Sequence, residues 1–143
     1  MSDAAAMPAG FEDLYAAIHD GQQLAMKLGI ELKEADPQRL VATMPVEGNL
    51  QPAGLLHGGA SVALAETLGS IGAALHAGPN RYVVGVDINA THHRAAVSGL
   101  VTGTATPLHL GRGTASYEVV VTDDQGRRLC TSRITCLIRD PQN

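Results

Sequence analysis

The spacing of apolar and polar residues changes twice along the chain, and each change marks a different kind of element. Between 11 and 29, FEDLYAAIHDGQQLAMKLG, Leu14 and Ile18 recur at helical spacing, and Gly21 divides the stretch into two short helical pieces. IELKEA and RLVATMPV, on either side of Asp36-Pro37, read as two strands joined by a tight turn. The loop EGNLQPAGLL then leads into a long apolar segment, 58–77, which opens at a glycine pair and stops at Gly78-Pro79, a length of about five helical turns. After AGPN the period becomes two: RYVVGVDINATHHR sets Tyr82, Val84, Val86 and Ile88 on one side and Asp87 and Asn89 on the other. LVTGTATPLHL, TASYEVVVT and RLCTSRITCLI continue as strands, with TDDQGR supplying hairpin chemistry between the last two. Strands, one long helix, then hairpin-connected strands imply an α+β domain, an antiparallel sheet with a helix laid against it.

Placed at 100° per residue, the long helix has two distinct faces. Leu64, Leu68, Ile71 and Leu75 fall together and are expected to pack on the sheet. Gly59, Ala63, Glu66, Ser70, Ala73 and Ala77 fall on the opposite side, a stripe of small residues around one carboxylate. Small side chains admit another backbone, a second subunit or a flat ligand. A helix this apolar is normally buried on most sides, so the stripe is not expected to face bulk water. Burying a lone carboxylate is costly, which leaves two readings of Glu66. It is structural, set on a partly exposed edge or ion-paired with an arginine such as Arg94 or Arg133, or it does chemistry. Its neighbours suit chemistry: Ser70 lies one turn onward, and Gln51 and His57 precede the helix in a Pro/Gly-shaped loop. The helix start adds unpaired N–H groups and the positive end of its dipole. Acyl transfer needs these parts, a base or nucleophile together with amide donors where oxyanion charge develops.

Composition narrows the class. The chain has 143 residues, room for one domain with a real core, and at 45% apolar but 3% aromatic that core is aliphatic and alanine-rich. A net charge of -4 and a pI near 5.8 supply no electrostatic footprint for nucleic acid. No uninterrupted apolar run reaches about 18 residues, so no membrane span is expected. The start, MSDAAAMPAG, has neither the basic region nor the apolar run of a secretory signal, and 1–10 reads as a flexible N-terminal tail before a single domain over 11–143. Cys130 and Cys136, six apart in one strand, stand about 20 Å from each other when extended, too far for a disulfide. They read as core residues in a reducing, cytoplasmic setting. His92 and His93 are adjacent on a strand and point to opposite faces; with no other cluster at ligand spacing, no metal is expected. His76 sits toward the negative pole of the long helix, while His19 and His109 read as surface hydrogen-bonding groups. LGRGT, 110–114, is either a bulged turn or a phosphate contact through Arg112.

Three separated blocks, QPAGLLHGGASVALAETLGS, VVGVDINATHHR and ATPLHLGR, resemble the hotdog-fold acyl-CoA thioesterases, in particular those of phenylacetic-acid degradation and menaquinone biosynthesis. The resemblance runs from about Gln51 to Ile138. It implies a hotdog fold, a central helix wrapped by a curved antiparallel sheet, in protomers that pair their sheets, build sites between them and commonly pair again as dimers of dimers. Carried over position by position, it makes Glu66 the nucleophile or general base toward the thioester carbonyl and Gly58 the residue whose N–H polarises it. Gln51 and His57 flank and orient the reacting groups. Ser70 comes to the site across the interface with its helix, and His92 lies near the acyl end. Val84, Gly85, Arg94, Gly111 and Arg112 match segments that contact the pantetheine and phosphates of coenzyme A.

The resulting expectation is hydrolysis of an acyl-CoA thioester to free acid and CoA, with no metal or redox cofactor and coenzyme A present only as part of the substrate. The carbonyl is expected at the helix N-terminus with Glu66 attacking it or activating water. An aryl or otherwise bulky acyl group is expected, with 1,4-dihydroxy-2-naphthoyl-CoA first and phenylacetyl or hydroxybenzoyl thioesters behind it. Two other readings compete. Hotdog enoyl-CoA hydratases pair an Asp with a His at the helix start, whereas the acid here is a Glu about nine residues later. A non-catalytic acyl-CoA binding module needs no such acid and is usually joined to a second domain.

Overall fold

A computed structural model describes residues 5–142. Two short helices, α1 (Glu12–Ile18) and α2 (Leu24–Leu28), precede strands β1 (Glu31–Asp36) and β2 (Arg39–Pro45). The long helix α3 (Gly58–Ala77) follows, then β3 (Tyr82–His92), β4 (Leu100–Leu110), β5 (Thr114–Thr122) and β6 (Arg128–Arg139). The strands form one six-stranded sheet, ordered β1-β2-β4-β5-β6-β3, and each neighbouring pair is antiparallel. Because α3 joins β2 near one side of the sheet to β3 at its opposite edge, it must cross the sheet, and it packs on all six strands. This is the hotdog architecture.

Helix and sheet meet closely because glycines stand at the contact. A Cβ at Gly72 would lie 2.6 Å from Tyr117 Cζ and 2.7 Å from Leu40 Cδ1, so no side chain fits there. Strict alternation buries Ala115, Tyr117, Val119 and Val121 on β5, and they meet the buried Leu64, Leu68, Ile71 and Leu75 of α3. Tyr117, the bulkiest fully buried side chain, spends its hydroxyl on the carbonyl oxygen of Pro37 at 2.6 Å. Both cysteines are buried and free.

Two expectations about facing are corrected. Glu66 is exposed in the single chain, because the sheet wraps one side of α3 only. Its other side lies toward α1 and α2, neither of which contains a buried residue. On β3, the set Tyr82, Val84, Val86 does not continue into Ile88. The register slips between Gly85 and Asp87, and this bulge reverses the phase. The first three remain exposed while Ile88 is half-buried against the core.

By length and composition α3 is apolar enough to cross a membrane, yet more than half of its most apolar window is buried inside the domain, where it serves as the core helix. Of the expected tail, 1–4 lie outside the described residues; in 5–10, the Ala5 N–H donates to Leu32 O at 3.0 Å, and Ala5 and Met7 pack against the core.

Candidate active site

The loop before α3 is tied down by Asn49, a buried amide whose Nδ2 donates to Leu28 O at 2.7 Å and Pro45 O at 2.9 Å. The Asn49 carbonyl in turn accepts the His57 N–H at 2.8 Å. His57, extended at φ -63, ψ 127, is the N-cap of α3, and its Nδ1 accepts the Gly59 N–H at 2.8 Å. That bond places the ring proton of the neutral imidazole on Nε2. The Ala60 N–H is taken by His57 O at 2.9 Å. Among the described residues the Gly58 N–H has no partner, so it is the leading amide of the helix left free to meet a ligand.

Beside it, Gln51, Gly58, Ser61, His92 and Arg94 line a cavity of about 290 Å³. The His92 ring lies against Gly58 so closely that a Cβ there would stand 2.9 Å from its Nε2. The Gln51 side chain turns back on its own loop, Oε1 accepting the Ala53 N–H at 2.7 Å. His93 points elsewhere, its Nε2 2.9 Å from Thr131 Oγ1.

Glu66 lies at a second place. It shares a cavity of about 330 Å³ with Ala63, Thr67, Ser70 and residues of α1–α2, and one of about 210 Å³ with Gly85, Asp87 and Ile88. Neither suggested arginine holds it: Arg94 lines the Gln51 cavity, and among the described residues Glu66 forms no ion pair. Ser70 Oγ is 4.0 Å from Cys136 Sγ. Burial pushes the Cys136 thiol pKa up; the hydrogen bond from Ser70 acts against this and the Glu66 charge with it.

The remaining predicted residues form a third group. Val84 is exposed on β3. Gly111 and Arg112 lie by the far end of α3, where His76 Nε2 is 2.7 Å from Gly111 O and Arg81 Nη1 donates to Arg112 O at 2.9 Å. In 110–114 the Gly111 N–H closes the turn on Thr114 O, and the bulge sits upstream, between Pro107 and His109.

These places do not converge within one chain. At ~1.5 Å of rise per residue, Gly58 and Glu66 are about 12 Å apart along α3. A carbonyl hydrogen-bonded to the first and approached by the second would need to span the gap, whereas hydrogen bond and attack distances are each only about 3 Å. The expectation that one helix both grips and attacks the carbonyl is therefore corrected for the single chain. Asn49 was not anticipated by sequence reasoning, nor were Ile18, Gln23 and Leu24, which line the Glu66 cavity. An asparagine in a Pro/Gly loop was the visible signal for the first.

The profile of the thioesterase superfamily matches residues 53–130, from the α3 loop into β6. The chain belongs to this superfamily. The thioesterase is 51% identical over 116 residues to the proofreading thioesterase EntH of Cronobacter turicensis, covering 80% of this chain and 85% of that protein. It is 53% identical over 108 residues to EntH of Klebsiella pneumoniae, with 75% and 79% covered. Among solved structures, a thioesterase from Haemophilus influenzae superposes with TM-score 0.83 at 39% identity, covering 91% of this chain and 90% of that one. A variant of a thioesterase from Pseudomonas aeruginosa superposes with TM-score 0.85 at 37% identity, covering 98% and 100%. The protein is a thioester hydrolase of hotdog fold.

Proposed function

We propose that this thioesterase hydrolyses acyl-CoA thioesters bearing an aryl or otherwise bulky acyl group, 1,4-dihydroxy-2-naphthoyl-CoA first among them, at sites built between two copies of the chain. Glu66 carries the reading: a carboxylate that forms no ion pair among the described residues, lining two cavities on the open face of an apolar helix. In the completed site the Gly58 N–H of the second copy polarises the thioester carbonyl, with Gln51 and His57 beside it. Glu66, with Ser70 one turn onward, either adds to the carbonyl carbon or takes a proton from the water that does. The C–S bond breaks, the thiolate of coenzyme A leaves and is protonated, and the acid is released. If Glu66 adds first, the intermediate is an anhydride that water cleaves.

Edge chemistry supports pairing of copies. β1, at one edge of the sheet, carries Glu31, Lys33 and Glu34, with ion pairs Lys33–Glu31 and Arg39–Glu34. β3, at the other edge, is 11 residues long and exposes Tyr82 (45%), Val84 (46%) and Val86 (53%). A long apolar edge strand is a template for another strand, and a second β3 satisfies it. A dimer of such dimers, a cytoplasmic setting, and coenzyme A contacts through Arg94, Gly111 and Arg112 belong to the same proposal.

Purified Glu66→Gln and Glu66→Ala should lose turnover while keeping fold and oligomeric state, and unchanged steady-state hydrolysis in either removes Glu66 from the mechanism. Identity above one half to proofreading thioesterases favours a second reading, in which the physiological substrate is a thioester loaded with the wrong acid. A panel of correct and incorrect acyl thioesters separates the two. Thiol release in the same panel distinguishes hydrolysis from hydration or from binding without product.

A further inference from the structure

Helices α1 and α2 bury no residue, and α2 exposes Leu24 at 61%. Only partly buried side chains of theirs, Ile18, Ala25 and Leu28, pack against the core, and the two helices stand over the one face of α3 that the sheet leaves open. Ile18, Gln23 and Leu24 close a cavity of about 330 Å³ whose other wall is Ala63, Glu66 and Ser70. A cavity of ~150 Å³ holds one benzene ring, so this space admits a ring with substituents or a second ring. Its lining is mostly apolar, and the polar Thr67 Oγ1 is already spent on Ala63 O at 2.7 Å. A large exposed leucine beside a carboxylate suits an apolar group that arrives and leaves, since such a group removes the leucine from water only while it is bound.

We infer that α1–α2 is the acyl-selectivity wall of the thioesterase, with Leu24 and Ile18 as the apolar surface that reads the bulk of the acyl group. This rests on the proposed role of Glu66. The wall and Glu66 belong to the same copy, so a chain brings its own acyl pocket to its own acid and takes from the second copy the amide that polarises the carbonyl. The occupant is the acyl body of the substrate, apolar and of ring size or larger. Ala63 lines the opposite wall, where a larger side chain would take up part of the same space.

The test uses Leu24→Ala and Ala63→Leu in the full chain, with kcat/KM measured for benzoyl-CoA and for acetyl-CoA, whose short acyl group does not reach α2. Pocket methylenes are worth ~10–200-fold in discrimination, so each variant should lower the benzoyl-to-acetyl ratio by about tenfold. Parallel changes for both substrates, or no change in the ratio, overturn the wall. So does a Leu24→Ala protein whose oligomeric state shifts while the ratio holds, since that makes the rim an interface between copies. Glu66→Gln is run alongside. If it retains its rate, the site falls and the wall with it; if it is inactive and the ratios have not moved, the wall alone falls.

Discussion

Glu66 Oε1 hangs over the backbone of β3 at Gly85, 3.2 Å from where a Cβ at that residue would be. The sequence resemblance assigned Gly85 to pantetheine, but within this chain its missing side chain leaves room for the carboxylate. Gly85→Ala should push Glu66 aside by a few tenths of an ångström. About 1 Å of misplacement costs ~10²-fold in rate, so this shift predicts a loss of roughly fivefold to tenfold in kcat with little change in melting temperature. A Gly85→Ala enzyme of unaltered kcat would show that the carboxylate's resting position does not matter.

His57 both caps α3 and is proposed to flank the reacting carbonyl, and two substitutions separate these roles. His57→Ala removes the acceptor of the Gly59 N–H and should cost ~1 kcal/mol of stability along with activity. His57→Asn supplies a favoured capping oxygen but no imidazole, so stability should return and activity should not. Recovery of both with asparagine would reduce His57 to a cap.

Helix 58–77 was legible because its signals are local: a glycine pair at the start, Gly78-Pro79 at the end and no charge but Glu66 between them. The strands were legible from alternation, and Leu64, Leu68, Ile71 and Leu75 do face the sheet. Phase along β3 was not. A bulge adds a residue without altering composition, and only Gly85 hinted at it. Whether Glu66 sat on an exposed edge or in a site stayed open, because periodicity separates the faces of a helix without saying how far a sheet wraps around it. The separation of Gly58 from Glu66 was implicit in the helix rise, yet contacts between copies have no period. Asn49 works through long-range bonds to Leu28 and Pro45, which no local pattern reports.

Packing at Gly72 sets a stability test. Alanine is favoured over glycine within a helix by ~1 kcal/mol, but overpacking a core costs ~1–3 kcal/mol or more. A Cβ at Gly72 meets Tyr117 Cζ at 2.6 Å and Leu40 Cδ1 at 2.7 Å, both side chains fully buried and the ring held by its bond to Pro37 O. Strain should win, so that Gly72→Ala melts several degrees lower, at about 2–4 °C per kcal/mol. A higher melting temperature would mean that the helix is free to lift from the sheet.

Alkali should unfold the protein through three buried groups. Burial foremost, aided by the charges of Asp36 and Cys136, raises the Tyr117 hydroxyl pKa well above its ordinary value, and burial likewise raises the Cys130 and Cys136 thiols. In the unfolded chain thiols release protons near 8.5 and phenols near 10. The folded state keeps protons the unfolded state gives up, so stability is full below about pH 8.5 and falls as pH rises, by up to ~1.4 kcal/mol per pH unit for each group. Urea midpoints should hold from about pH 7 to 8, drop above about 9 and steepen above about 10. In Tyr117→Phe the steeper part should flatten. A midpoint level up to about pH 11 would contradict the assignment.

Subunit mixing tests the composite site directly. If Glu66 and Gln51 serve the same carbonyl from different copies, Glu66→Ala and Gln51→Ala homodimers are each inactive for complementary reasons. Under two-fold symmetry, random re-association of equal amounts makes about half the dimers mixed, each holding one intact site and one doubly defective site, which restores about a quarter of wild-type activity. Denaturing and refolding the two variants together, beside the same treatment of each alone, supplies the comparison. Recovery only in the mixture is expected, because about 12 Å of helix separates Gly58 from Glu66 in a single chain. A mixture as inactive as its parents, when wild-type chains treated in the same way regain activity, would contradict a site in which Glu66 and Gln51 come from different copies.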